Sequence, residues 1–354
     1  MTSERRGWRD HPLVQLTMVR YREFFREPEA VFWVFVFPVL LTAGLGIAFR
    51  NQAPARTPIA VVERGTASQA VLEALSRSPD LLPAEYPESG AADALRIGRV
   101  ALVVVPGVGT DSIEYRFDEE RPESRTARLL VDDALQRGAG RTDPVRVRDR
   151  QVREPGSRYV DFVVPGLLGM NLMGSGIWGL GFTIVDARRK KLLKRMIATP
   201  MSRTQFLASF VLSRLTLLVI EVGALLGFAL IAFGVPMRGS VLTLLAICLL
   251  SALAFGALGL LLASRARTLE GVSGLMNLVM LPMWIFSGIF FSASRFPDAL
   301  QPFIQALPLT AVNDALRATL LEGAGWGRLA PELGIIAAWL VLSFALAARL
   351  FRWR

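Results

Sequence analysis

The chain has 354 residues, 52% of them hydrophobic, and carries a net charge of +10. Its apolar residues come in long charge-free blocks, which excludes an ordinary soluble protein, because soluble helices and strands alternate apolar with polar positions. A single cysteine and a single histidine exclude an intrachain disulfide and a histidine-based metal site. We predict that Cys248 packs as a small apolar residue.

Residues 1–30 form a basic N-terminal segment, within which 8–27 have the pattern of an amphipathic helix. Apolar residues recur there at helical spacing: Val14, Met18, Tyr21 and Phe25. We predict an interfacial helix along the cytoplasmic membrane surface. A general membrane anchor and a specific partner contact are both open for it.

Six stretches approach or exceed the ~18 apolar residues that cross a bilayer as a helix. They are Val31–Phe49, Phe162–Val185, Leu215–Val235, Val241–Ala263, Val272–Phe291 and the shorter Leu333–Ala348. The first contains Pro38, which predicts a kink or an internal backbone contact. It lacks an adjacent small-residue cleavage site, so we do not interpret it as a cleavable signal.

Between the first two predicted spans, residues 50–160 have the composition of a small α/β domain. Short β-rich runs alternate with helical stretches: 58–63, 67–77, 91–96, 100–106, 112–117 and 124–136. We find no catalytic set and no metal-ligand cluster in the sequence of this segment. Binding or gating is therefore the predicted role, and no residue of the chain is proposed as catalytic.

The distribution of charge orients the predicted spans. If the chain starts inside, the inner segments 1–30, 186–214, 264–271 and 349–354 hold 19 basic and seven acidic residues. This asymmetry places both termini in the cytoplasm of a multi-pass protein of the cell membrane, and it places 50–160 outside. The predicted fold is thus an α-helical polytopic membrane protein with six transmembrane helices and an inserted small α/β extracytoplasmic domain.

Residues 161–354 form the rest of the predicted transmembrane domain. Within it, 292–325 are too polar to span and too apolar for a free loop, so we predict outer helices that are partly re-entrant. The chain shows no internal repeat. A symmetric pore therefore requires a second copy.

The stretch "RRKKLLKRMIATPMSRTQF" (Arg188–Phe206) holds all three lysines of the chain. No aromatic residues alternate with its bases, which argues against nucleic-acid binding. Lys and Arg beside a span end explain the first four residues as an anchor on anionic lipid. The rest reads as a short helix with an apolar stripe, basic flanks and a hard stop: Leu192, Leu193, Lys194, Arg195, Met196, Ile197, Thr199 and Pro200. The stripe suits a partner groove, or burial against the protein itself or lipid.

Polar residues inside the predicted spans are candidates for a transport path. Glu221 is an acid inside the third, which is costly unless the carboxylate is paired or hydrated, so a functional and a structural role are both open. Asn171 in the second span and Asn277 in the fifth are isolated amides. Phe286 is an aromatic candidate near the end of the fifth, and the aromatic and Met residues nearby suit a hydrophobic or amphipathic cargo.

In three places the chain resembles the membrane subunit of an ABC-2 type ABC exporter. These are "REFFREPEAVFWVFVFPVLL" (Arg22–Leu41), "LLKRMIATPMSRTQFLAS" (Leu192–Ser209) and "LPMWIFSGIFFSASRFPDALQPFIQALPLTAVNDALR" (Leu281–Arg317). Their order and spacing make the match specific. The long segment after the first span resembles the subgroup with a large extracytoplasmic insertion. The family loop often has Gly-Thr where this chain has Lys190 and Lys191.

The resemblance implies a mechanism. The chain has no P-loop motif, so ATP and Mg belong to a separate cytoplasmic ABC ATPase, and this chain carries no cofactor. Residues 188–200 would be the coupling helix seated on that ATPase. A second copy of the chain would complete a path lined chiefly by spans two and five, and membrane lipid would surround it. Whether a periplasmic adaptor also binds is an open question at this point. Two other classes remain alternatives: a membrane-anchored sensor or scaffold with a ligand-binding outer domain, and an ion-driven transporter.

Overall fold

A computed structural model describes residues 12–49, 56–107, 112–142, 145, 156, 158–189, 203–266 and 268–350, without the side chains of 12, 187 and 203–211. The chain divides into two compact units. The membrane unit comprises 1–50 and 153–354, and the sheet unit comprises 51–152.

The membrane unit begins with helix α1 (Pro12–Arg26), which packs on the helix of the third span. The first span runs from Pro28 to Ala48 as α2 (Pro28–Val31), a π-helical turn (Phe32–Val36) and α3 (Phe37–Ala48). Of the apolar residues predicted to define one face of α1, Met18 and Phe25 are exposed. This arrangement is consistent with a helix that contacts the protein on one side and keeps apolar side chains free on another.

The described part of the sheet unit has four strands and three helices. In chain order these are β1 (Thr57–Val62), α4 (Thr66–Ser76), β2 (Leu81–Tyr86), α5 (Glu88–Arg96), β3 (Leu102–Pro106), β4 (Ile113–Arg116) and α6 (Pro122–Gly138). The strand order is β2-β1-β3-β4, with β1 parallel to both neighbours and β4 antiparallel to β3. Helices α4 and α6 cover one face of the sheet and α5 covers the other.

Alternation along β1 produces these two cores. Ile59 and Val61 face α4 and α6, whereas Ala60 and Val62 face α5, and all four are buried. The predicted strands and helices of this segment are confirmed. Strand β2 was missed because Pro83 lies inside it. A proline is tolerated at an edge strand, where one row of backbone groups has no neighbouring strand to bond.

The second part of the membrane unit is helical. Its elements are α7 (Tyr159–Arg189), α8 (Arg203–Phe233), α9 (Val241–Ala263), α10 (Leu269–Phe286), α11 (Gln301–Ala306), α12 (Pro308–Arg317), a π-helical turn (Ala318–Glu322) and α13 (Trp326–Leu350). The described residues contain six helices that are long and apolar enough to span a membrane, which confirms the predicted number. Spans two to six are Tyr159–Asp186, Leu212–Phe233, Val241–Ala263, Leu269–Phe286 and Trp326–Leu350.

Two span ends differ from the prediction by more than three residues. The fifth span ends at Phe286 rather than Phe291, because the chain turns at Gly288, whose φ of 69° favours glycine. The sixth span is longer than predicted. Its first turns include Arg328 and Glu332, which pair at 3.0 Å and so are tolerated at the helix start.

The second span is the centre of the membrane unit, with 83% of its most apolar window buried. It packs on the fourth span and on α12, and also on the first and fifth spans. Glycines permit this closeness. A Cβ at Gly176 would lie 2.7 Å from the Cβ of Phe255, and one at Gly166 would lie 2.7 Å from the carbonyl oxygen of Ile289. Close packing therefore accounts for these two glycines of the second span.

Candidate functional site

Of the coupling helix predicted at 188–200, residues 190–200, which include all eight named coupling residues, lie outside the described residues. The segment is bounded by Arg189, the last residue of α7, and by Arg203, the first residue of α8. Arg188 is described and half-buried. Its Nη1 donates to the carbonyl oxygens of Ala263 and Ala266, at 3.3 and 3.1 Å.

Asn171 joins the second span to the first. Pro38 has no N–H, so the carbonyl of Val34 lacks its ordinary helical donor four residues later. The Nδ2 of Asn171 donates to that carbonyl at 3.2 Å. Asn171 is 8% exposed. Its amide nitrogen thus bonds to backbone within the same chain, and its place in a transport path stays a prediction.

Glu221 is enclosed within the membrane unit. Its residue surface is 1% exposed, and neither carboxylate oxygen has a hydrogen-bond partner among the described residues. Side chains of three spans interact electrostatically with its carboxyl group: Ser175 of the second span, Arg214 of the third and Cys248 of the fourth. An acidic and a basic side chain of one helix therefore lie in an apolar interior without a direct hydrogen bond to each other, which is a costly arrangement if both are charged.

Arg214 faces the second span as well. A Cβ at Gly179 would lie 3.9 Å from its Nη1, and its Nη2 is buried without a partner in the described part of the chain. Ser175 and Gly179 are four residues apart on the second span, so they lie on one helical face. The third span thus presents both of its charged residues toward small residues of the second.

Asn277 lies on the surface of the membrane unit, whereas Asn171 and Glu221 are buried. The fifth span has only 22% of its apolar window buried, and Asn277 is exposed. Met276 and Met280 point into the core on the other side. Five of the exposed positions follow a repeat of three and four residues: Gly271, Gly274, Leu278, Leu281 and Ile285; Leu275, Asn277 and Trp284 are exposed beside them. This spacing describes a straight seam along one helix face.

Phe286 is half-buried at the end of the fifth span. Its ring meets that of Phe296 edge to face, with centroids 4.9 Å apart. Phe286 therefore ties the end of the span to the turns that follow, Ala293–Arg295 and Asp298–Leu300. The four path candidates do not form one cluster. Asn171 and Glu221 lie inside the bundle, Asn277 lies on its surface, and Phe286 lies at the end of a span.

Sequence reasoning missed a polar junction between the second and third spans. Asp161 is fully buried and accepts bonds from the backbone N–H of Gly156 and from Arg158 Nη2, at 2.9 and 2.8 Å. Arg158 also donates to the carbonyl oxygens of Phe233 and Gly234, at 2.7 and 3.1 Å. The bond to Asp161 raises the pKa of Arg158. The sequence signal was a basic residue and an acid three positions apart at a span start.

A second junction was also missed. Arg317 lies with its guanidinium carbon 3.9 Å from the ring centre of Phe162, and its Nη2 donates to the carbonyl of Gly288. One helical turn earlier on the buried side of α12, Asn313 Nδ2 donates to the carbonyl of Ser287 at 2.7 Å. These bonds satisfy carbonyls at the end of the fifth span. They hold α12 against the second and fifth spans.

Comparisons with known proteins point in one direction. The profile of ABC-2 family transporter proteins matches residues 29–349. Nodulation protein J of Bradyrhizobium diazoefficiens is 27% identical over 205 residues, which cover 57% of this chain and 77% of that protein. Linearmycin resistance permease protein LnrN of Bacillus subtilis is 26% identical over 176 residues, 49% of this chain and 45% of that protein.

A third relative is much longer than the region it shares. ABC transporter G family member 20 of Dictyostelium discoideum is 25% identical over 171 residues, which cover 48% of this chain but only 23% of that protein. The matched region thus spans less than half the length of two of these three relatives.

Proposed function

Since this chain belongs to the ABC-2 family of transporters, as a multi-pass membrane subunit rather than an ATPase, we propose that it forms the translocation path of an ATP-driven exporter. Permeases of this family work with a cytoplasmic ABC ATPase. Two copies of the chain form the path, and hydrolysis takes place on the partner ATPase. The observation that carries the proposal is the family match over 29–349. This match covers all six candidate spans except the first residue of the first span and the last residue of the sixth.

The basic segment between spans two and three is the proposed contact with the ATPase. The excess of basic residues in the inner segments supports a cytoplasmic position for it, with both termini on the same side. Its apolar stripe, Leu192, Leu193, Met196 and Ile197, suits a groove on a partner. Lys194 and Arg195 provide charges that suit acids on the partner. The Thr199-Pro200 sequence predicts the end of the helix.

The exposed face of the fifth span is the proposed seam between two copies. Seam residues such as Leu278 and Leu281 are 70% and 54% exposed in the single chain. A twofold axis brings the same face of two chains together, so Asn277 of each copy approaches its equivalent. An exposed amide in an apolar span is stabilised by a hydrogen bond to a second amide, because the lipid around it offers no hydrogen-bond partner.

Glu221 and Arg214 are the proposed moving polar elements of the path. Their charges are buried without direct hydrogen bonds, which supports a state that changes during the transport cycle. A Glu221→Gln variant is expected to assemble normally and to export poorly. Normal export by this variant would leave Glu221 with a structural role only.

Apolar and aromatic residues on and beside the seam support a hydrophobic or amphipathic cargo. Leu278, Leu281 and Trp284 are exposed on the fifth span, and Phe286 lies at its end.

The sheet unit is proposed to lie outside the membrane. Maleimide that does not cross membranes is expected to label Arg125→Cys, but not Arg189→Cys, in intact cells.

The decisive experiment is reconstitution of the full chain with an ABC ATPase in lipid vesicles. ATP-dependent export of a fluorescent lipid analogue or a hydrophobic dye is expected. Leu193→Asp and Met196→Asp are expected to release the ATPase, because a carboxylate in an apolar groove is left unpaired. Leu129→Asp, at a leucine that is 66% exposed in the sheet unit, is the matched control and should retain it. Export without nucleotide and without a partner would refute the proposal.

A further inference from the structure

The inner end of the second span is bonded to the joint between the fourth and fifth spans. Arg188 stands one residue before the end of α7, and α9 ends at Ala263. The last carbonyls of a helix have no donor within it and carry the negative end of the helix dipole. The guanidinium of Arg188 donates to the carbonyl of Ala263 at 3.3 Å and to that of Ala266 at 3.1 Å.

The joint that Arg188 contacts is short and well bonded at both ends. Ser264 closes the fourth span, with its N–H and its hydroxyl both donating to the carbonyl of Leu261. Thr268 opens the fifth span, because its hydroxyl accepts from the N–H of Gly271 at 3.1 Å. Ala263, Ser264 and Ala266 are 0%, 2% and 8% exposed. A displacement of this joint therefore displaces the first turn of the fifth span.

Arg188 also lies next in the chain to the proposed ATPase-coupling segment. Residues 190–202 follow Arg188 within two positions and carry the proposed ATPase contact. Arg189, the neighbouring arginine, is exposed. The two arginines have equal charge and nearly equal distance from the membrane end, but of the two only Arg188 is bonded to another span within the described residues. An anchor on anionic lipid does not need such bonds, so they point to a separate role.

We propose that Arg188 is a positioning residue that transmits movement of the ATPase-coupling segment to the joint at 264–268 and so to the fifth span. This inference rests on the proposed function. The Nη1 of Arg188 holds two carbonyls at once, so the end of α7 and the start of the joint are bonded to each other. The rival route is direct packing of the second span on the fifth, where Gly181 closely approaches the side chain of Met276.

The test uses the full chain with the ABC ATPase that co-purifies with it. Cys248 is replaced by alanine, and Leu275→Cys carries an environment-sensitive fluorophore at an exposed position of the fifth span that is not one of the five seam residues. Fluorescence is compared with and without Mg-ATP and vanadate. The starting protein and Arg189→Gln are expected to respond equally. Arg188→Gln is expected to lose the response about fivefold or more, the lower range of ordinary coupling between sites, while still binding and hydrolysing ATP.

Arg188→Lys is expected to keep an intermediate response, because an ammonium group donates hydrogen bonds but presents them from a flexible stem rather than from a planar guanidinium. Equal responses of Arg188→Gln and Arg189→Gln would overturn the inference and favour the rival route. Failure of the starting protein to bind an ATPase or to respond to nucleotide would instead refute the proposed function, and with it the inference.

A measurement on the wild-type complex covers the case in which Arg188→Gln does not fold. Amide hydrogen exchange at 264–272 is expected to change when Mg-ATP and vanadate are added. The same exchange in the sheet unit, at 102–106, is the internal control and is expected to stay constant. An unchanged joint in a complex that does hydrolyse ATP would overturn the inference without any substitution.

Discussion

The second and fifth spans are both apolar helices with glycines, yet the chain encloses one and leaves the other open. The most apolar window of the second is 83% buried and that of the fifth 22%. Gly176 of the second meets the fourth span, whereas nothing lies within 4 Å of a Cβ placed at Gly274 of the fifth. Apolarity alone therefore does not say what a span faces. A glycine in a span therefore does not by itself show that another helix packs closely against it.

The largest expected effect comes from filling the glycine contacts of the second span. Gly176→Leu should destabilise the membrane unit by about 3 kcal/mol, because overpacking forces the backbone of the fourth span away. Gly274→Leu should leave the single chain unchanged. The measurement is unfolding in mixed micelles with increasing SDS, followed by tryptophan fluorescence. Equal unfolding midpoints for the two variants would contradict the difference between the spans.

The two faces of the fifth span should also differ. Met276 is fully buried and Leu278 is 70% exposed. Met276→Ala should cost about 2 kcal/mol in the same unfolding measurement, since a cavity is left behind. Leu278→Ala should cost less than about 0.5 kcal/mol. A larger loss for Leu278→Ala in a monomeric preparation would mean that the exposed face is covered within the chain.

A smaller effect is expected for the amide of the second span. Asn171→Leu should cost about 1 kcal/mol, because the carbonyl of Val34 loses the donor that replaces the missing N–H of Pro38. A Pro38→Ala background should reduce this cost, since alanine restores the helical donor. The measurement is a double-mutant cycle in mixed micelles. Additive costs would show that Asn171 and Pro38 act independently.

The smallest expected effect concerns pairing of two chains. Asn277→Leu should leave unfolding of the single chain unchanged and weaken pairing in vesicles about threefold, the size of an average hydrogen bond between membrane helices. Energy transfer between differently labelled copies measures the pairing. Asn171→Leu is the matched control, with no expected effect on pairing. Stronger pairing of Asn277→Leu would place the seam elsewhere.

Much of the architecture follows from local patterns. The length of the apolar stretches is sufficient to find the six spans. Short β-rich runs, of which one alternates, are sufficient to find three of the four described strands. Strand β2 was missed because its proline argues against a strand unless the edge position is known. The end of the fifth span was misplaced because apolar residues continue past the turn at Gly288.

The candidate site was less accessible to sequence reasoning. Glu221 stood out as an acid in an apolar run, and the structure buries it. Asn171 and Asn277 looked alike as isolated amides, yet one bonds to the first span and the other is exposed. Arg188 looked like one of several basic anchors beside a span end. Its bonds to Ala263 and Ala266 join residues more than seventy positions apart, which no local pattern reports.

The sequence by itself determined which segments are apolar enough to enter a membrane, which side carries the positive charge, and which segment folds as strands and helices. These properties depend on residues near one another in the chain. The tertiary structure alone decided which span is central, which face stays open and which carbonyls the arginines hold. Those outcomes depend on contacts between distant helices, because in lipid the choice among equally apolar faces is made by close packing and by backbone groups that need a donor.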